Sequence, residues 1–260
     1  MKLPGILFTL LFSLLAWGQT PKLPPRPQRL KIALDPGHGG EDAGAKGPKK
    51  LLEKQAALGL AQILATTLEA AGFEVMLTRS DDTFLPLWER AQKANEAEAD
   101  LFISLHLNAA RARGARGSEV YFLSLDQGDA DASELAALEN SGGDRAPEPQ
   151  DIVAGILDNL AQEAFLHDSE RLAVAIQTQL NLVGNIKQRG VKQAPFAVLR
   201  RAAMPAALVE ASFISNPKEE AKLRDPAFQK KIAEAITRGV RQFFAAGTVT
   251  AKRKAILGPR

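Results

Sequence analysis

Short apolar runs alternate along this chain with longer stretches in which apolar residues recur at helical spacing. Residues 30–34 form an apolar run, broken only by Lys31, that stops at Asp35-Pro36-Gly37, the pattern of a buried strand entering a loop. From 51 to 71 the apolar positions 52, 56, 60, 63, 64 and 68 keep a 3.6-residue period, and Gly72 follows as a stop. The same reading predicts strands at 73–77, 101–105 and 120–123, a helix at 86–97, and, late in the chain, strands at 196–199 and 206–209 and a closing helix at 226–244. Strands alternating with helices imply an α/β fold, a single domain over 30–246 with a largely parallel twisted sheet and helices on both faces. In such sheets ligands bind just past the carboxyl ends of the strands.

One stretch breaks the alternation. Residues 125–167 predict a short helix at 132–139, a Gly142-Gly143 interruption and a second helix at 150–165 with Val153, Ile156, Leu157, Leu160 and Ala164 on one face; a further helix follows at 169–182. This segment holds ten acids against Arg145 alone, a net charge of −9, inside a chain whose total is +3. It reads as an acidic helical insert in a basic body, and a basic body suits a polyanionic partner.

The ends change the picture of compartment. Lys2, an apolar run over 6–15 and the small-x-small Ala16-Trp17-Gly18 have the form of a cleaved export signal at 1–18. Proline and basic residues over 19–29 read as a linker, and 247–260 as a basic tail. The expected location is periplasmic, with no stable membrane insertion once the signal is removed.

Cysteine is absent, so thiol nucleophiles, thiolate metal sites and disulfides are excluded. Any metal must bind through His, Asp or Glu, and the histidines are His38, His106 and His167. His38 stands in Asp35-Pro36-Gly37-His38-Gly39-Gly40 directly after the first strand, and His106 directly after the third. If those strands are neighbours, both imidazoles reach one point. Glu53 lies in the first turn of the helix after His38 and shares a face with Ala56, Ala57 and Leu60. Buried there, a carboxylate must be paired or metal-bound; exposed, it would favour the helix N-terminus. Glu210 ends the apolar run Ala206-Ala207-Leu208-Val209, as a catalytic acid or as a partner of Arg200 or Arg201. Two histidines and one glutamate leave a tetrahedral zinc ion an open position, the composition of a catalytic site. Zinc polarises a carbonyl and acidifies water, and a nearby carboxylate can carry the proton.

At these residues the sequence resembles the zinc-dependent N-acetylmuramoyl-L-alanine amidases of the amidase-3 family. Asp35-Pro36-Gly37-His38-Gly39-Gly40 resembles the first metal motif of that family, Glu53-Lys54 the second, Ser104-Leu105-His106-Leu107-Asn108-Ala109 the third, and 208–216 the catalytic-glutamate motif; Thr78-Arg79 and Glu89-Arg90 also fit. The resemblance spans roughly 30–245. It implies Zn²⁺ on His38, Glu53 and His106, Glu210 as general base, and cleavage of the amide joining N-acetylmuramic acid to L-Ala in peptidoglycan, for wall remodelling or daughter-cell separation. The insert resembles the regulatory segment of cell-division amidases, in which a helix covers the active site, and Glu139 matches the glutamate that occupies their zinc. The expected partners are therefore peptidoglycan and a protein activator that binds the insert, with no nucleic acid. Two other classes stay open: another envelope zinc peptidase such as a carboxypeptidase, and an inactive wall-binding module.

Overall fold

A computed structural model of the chain describes residues 29–124, 130–142, 152–184 and 186–247, with the side chains of 152–162 outside that description. The expected export signal, nearly all of the expected linker, the basic tail expected beyond Gly247 and two stretches of the expected acidic insert lie outside the described residues.

The elements run β1 (Lys31–Pro36), α1 (Glu53–Ala70), β2 (Glu74–Leu77), α2 (Leu87–Glu96), β3 (Leu101–Asn108), β4 (Ser118–Leu123), α3 (Ala130–Ser141), α4 (Ile152–Leu180), β5 (Gln188–Ala194), a 3₁₀ turn (Ala197–Leu199), β6 (Ala206–Phe213), α5 (Pro217–Leu223) and α6 (Pro226–Ala245). The six strands form one sheet in the order β2-β1-β3-β6-β4-β5. Every pairing is parallel except β4 with β6. The expected α/β fold with a largely parallel sheet is therefore the one observed.

Alternation along each strand sends side chains to opposite faces. Ile32 and Leu34 of β1 join one core with α1, α4 and α6, while Ala33 joins a second core with α2 and α3. β3 and β6 are buried along their whole length, as expected of central strands covered on both sides. Asn216 caps α5 by accepting from the Lys218 and Glu219 amides, and Asp225 caps α6 through the Ala227 amide.

Three expectations fail. The apolar residues 196–199 are not a strand: Ala197–Leu199 is a 3₁₀ turn whose Val198 and Leu199 fill the core under α2 and α3. The strand is Gln188–Ala194, a polar sequence. It sits at the sheet edge, where half-exposed positions need little apolar character. The helices expected at 150–165 and 169–182 are one helix, α4, so the insert has no boundary at 167. His167-Asp168-Ser169 is polar but contains no proline or glycine to break the helix, and the Ser169 hydroxyl is satisfied within it by donating to the Phe165 carbonyl one turn back. Beyond it Leu172, Ile176 and Leu180 are fully buried in the first core.

Candidate metal centre and active site

β1 and β3 are neighbours, with Pro36 opposite Leu105, so the loop carrying His38 and the strand end carrying His106 emerge side by side. Their rings meet edge to face, 4.9 Å between centroids. Gly37 is required by this approach: a Cβ there would lie 2.5 Å from the His106 ring. His38 adopts φ +59°, a left-handed backbone that costs a non-glycine residue of order 1 kcal/mol. The loop is held in place by two buried guanidinium groups. Arg79 donates to the carbonyls of Pro36, Gly37 and Lys54, and Arg90 to those of Leu85, Pro36 and His38. Arg90 also pairs with fully buried Asp35 at 3.0 Å, which in turn accepts from Thr78 and Ser104.

Glu53 is the first residue of α1 and is 2% exposed. Its Oε2 accepts from the Ala45 amide and its Oε1 from the Leu107 amide, both at 2.9 Å. That Oε1 lies 3.2 Å from His38 Nε2 and 3.3 Å from His106 Nδ1. Glu139, on α3, brings Oε2 to 3.3 Å from His38 Nε2 and 3.0 Å from His106 Nδ1. One donor atom from each of His38, Glu53, His106 and Glu139 thus falls within 4.8 Å of the other three, an arrangement that could hold a metal ion. His167 stays apart, largely exposed on α4 and 3.6 Å from Glu170.

The polar atoms themselves argue for a cation. His38 Nε2, His106 Nδ1, Glu139 Oε2 and both oxygens of Glu210 are buried without a hydrogen-bond partner, and orphaned buried polar atoms are costly. The protonation states agree. Burial alone would lower the His38 pKa, but the Glu53 carboxylate and the hydrogen bond to Asp42 outweigh it and raise it to about 9. Burial opposes protonation of His106 too, and the Glu139 and Glu53 carboxylates again prevail, raising its pKa well above the ordinary value. Burial would raise Glu53, yet the two imidazoles hold it below the usual carboxylate range. Protons on the imidazoles here occupy the electrostatic role of a cation, and the nitrogen, nitrogen, oxygen, oxygen donor set fits a tetrahedral divalent ion.

Glu210 is fully buried on β6, directly opposite His106 in the sheet register. It makes no ion pair with Arg200 or Arg201 among the contacts of the described residues; its oxygens have no partner at all. Burial and the nearby Glu139 and Glu53 carboxylates raise its pKa well above the ordinary range, with His106 pulling the other way. Perturbation by burial and by specific charged neighbours is characteristic of a functional carboxyl group.

A family model described as N-acetylmuramoyl-L-alanine amidase matches residues 32–242. The chain belongs to this amidase-3 family. It is 36% identical to N-acetylmuramoyl-L-alanine amidase AmiC of Escherichia coli O6:H1, over 91% of this chain and 58% of that protein. It is 37% identical to AmiA of E. coli K12, over 82% of this chain and 75% of that protein. The chain spans little more than half the length of AmiC from E. coli or from Neisseria meningitidis. Among solved structures, an N-acetylmuramoyl-L-alanine amidase from Clostridium difficile 630 aligns over 85% of this chain and 99% of its own, at TM-score 0.66 and 28% identity. The CwlD amidase of Clostridioides difficile, solved in complex with the GerS lipoprotein, covers 84% and 100% at TM-score 0.62 and 26% identity.

Two residues of this amidase-3 site escape the sequence reading. Asp42 lies 2.8 Å from His38 Nδ1 and accepts from the Gly44 amide through its other oxygen, so it orients the ring. Its signal was a polar residue four positions after a candidate ligand. Asn140 donates to the Pro195 carbonyl and accepts from the Ala197 amide, pinning α3 beside Glu139. Nothing local announces it, because both partners lie more than fifty residues away.

Proposed function

We propose that this chain is a zinc-dependent N-acetylmuramoyl-L-alanine amidase of the cell envelope, hydrolysing the amide between N-acetylmuramic acid and L-Ala in peptidoglycan. The single observation that carries this is the convergence of His38, Glu53 and His106, with His38 Nε2 and His106 Nδ1 buried and lacking a hydrogen-bond partner and Glu210 across one strand pairing. His38, Glu53 and His106 would hold the ion, and Asp42 would fix the tautomer of His38. Zinc bound there supplies Lewis acidity toward a carbonyl and toward water. Glu210 takes a proton from the attacking water and delivers it to the amide nitrogen as the C–N bond breaks, so L-Ala leaves as a free amine. Arg79 and Arg90 keep the His38 loop rigid throughout.

In this reading Glu139 fills the position that substrate would need, and α3 is an autoinhibitory helix. Its hold is modest: Ala132, Leu135 and Ala136 are buried, while Leu138 is 58% exposed. A protein partner that takes up the apolar residues of the insert would free the site, as a population shift between closed and open states. The complex of CwlD with GerS supports a protein partner for a related catalytic domain. The export signal at 1–18 supports a periplasmic location, and no helix among the described residues is long and apolar enough to cross a membrane.

Mass spectrometry of peptidoglycan digested by the zinc-loaded chain tests the reading. Release of intact stem peptides with a free L-Ala amine is expected. Stems shortened at their far end would identify a carboxypeptidase and refute it.

A further inference from the structure

The row of functional side chains does not end at Glu210. Glu210 stands opposite His106 on β3 and opposite Glu119 on β4. Residues directly opposite in a sheet share a face, so His106, Glu210 and Glu119 form one line across three strands, ~10 Å from end to end at ordinary strand spacing. Glu119 is 1% exposed. It accepts from the Tyr121 hydroxyl and from Arg189 Nε, and lies 3.4 Å from Lys192 Nζ. One buried acid thus fixes two cations of β5, which leaves a surplus positive charge.

Above this cluster, between the sheet and α3, is a cavity of about 370 Å³. Arg189, Lys192 and Glu119 line its floor, and Asn108 and Phe213 lead from it toward the catalytic row. Its opposite wall is α3, which turns Asp131 and Glu134 into the same space. In the closed protein these two carboxylates share the cavity with the cations, Glu134 standing 4.0 Å from Arg111, which also lines it. When α3 departs, the acids leave and the cations stay.

The position fits one part of the substrate. Glu210 delivers the proton to the leaving nitrogen, so the peptide departs on the Glu210 side of the centre, over β6 toward β4 and β5. An extended peptide advances ~3.3–3.6 Å per residue. The residue after L-Ala therefore falls over the cavity, and in peptidoglycan stems that residue is D-glutamate, whose α-carboxyl is either free or amidated. We infer that this cavity is the subsite for the leaving peptide, and that Arg189 and Lys192, set by Glu119, bind a free stem carboxylate and make the chain selective for it. This rests on the amidase reading above.

Three synthetic muramoyl stem peptides test it: one with all carboxylates free, one amidated at the D-glutamate α-carboxyl, and one amidated only at the C-terminus. They are assayed with the zinc-loaded full chain and again in a Glu139→Ala background. The free stem should exceed the glutamate-amidated stem in kcat/KM by about 10-fold or more, the scale of a hydrogen bond to a charged group, with the difference in KM. The C-terminally amidated stem should match the free one. Lys192→Gln and Arg189→Gln should each remove most of that preference by raising KM for the free stem far more than for the glutamate-amidated stem, and Lys192→Arg should restore it. Equal cleavage of the free and glutamate-amidated stems, a response to the C-terminal amide alone, or an equal loss on all three substrates would overturn the subsite. Cleavage of none of the three by any form would overturn the amidase reading and the subsite with it.

Discussion

Replacing Asp42 by Ala isolates one link between the loop and the metal. In the folded chain Asp42 is the hydrogen-bond partner of His38 Nδ1, at 2.8 Å. Without it the imidazole has no fixed tautomer, and Nε2 is no longer held toward Glu53 and His106. The strained backbone at His38, φ +59°, adds to this, because a residue in that conformation keeps its place only while its surroundings over-determine it. Loss of such an orienting partner costs 10–100-fold in metal affinity, which is about 1.4–2.7 kcal/mol. A zinc competition titration against a chromophoric chelator, at fixed pH near 7, measures this directly. The dissociation constant should rise by that factor, while kcat at saturating zinc stays within several-fold of wild type, since Glu210 is untouched. Asp42→Asn has one acceptor oxygen for the two places that Asp42 fills, on His38 Nδ1 and on the Gly44 amide, so it keeps one of the two bonds and should lose less affinity than Asp42→Ala. An unchanged zinc constant in both variants, folded by circular dichroism, would refute the orienting role.

Glu210→Gln should retain stoichiometric zinc by metal analysis and lose ~10²–10⁴ in kcat; loss of metal together with the fold would make Glu210 a ligand and not a base. Glu139→Ala should raise basal wall hydrolysis without any partner, and unchanged dye release from labelled peptidoglycan by a well-folded variant would remove Glu139 from the regulation. In the metal-free protein His38 is held at about 9 against about 6.5 unfolded. Its contribution, roughly 3 kcal/mol, is complete below pH ~6.5 and is lost as pH rises through ~9. Thermal unfolding in chelator should therefore show Tm falling over that window. Zinc-loaded protein should not show the fall, and a flat metal-free profile would count against the cluster as drawn.

The sequence alone carried the parts of this protein that depend on neighbours in the chain. The period of α1, the apolar run of β3 and the turn residues after β1 are local patterns, and each placed a candidate residue at an element boundary: Glu53 at the start of α1, His106 near the end of β3, His38 in the loop after β1. Family resemblance in those same stretches supplied their roles, and resemblance within the acidic insert singled out Glu139. The elements that failed were those whose form is decided from outside. β5 is a strand because β4 offers it an edge, while the more apolar 197–199 segment is drawn into the core as a turn. α4 runs through a polar interruption because its far half is buried against α6. Only the tertiary structure decided that β1 and β3 lie side by side, that β4 runs antiparallel to β6, and that His106, Glu210 and Glu119 fall into one row. Strand order and register are set by long-range pairing and by which faces must be buried. A residue such as Asn140, whose two partners are more than fifty positions away in sequence, acquires its role only when that pairing has formed.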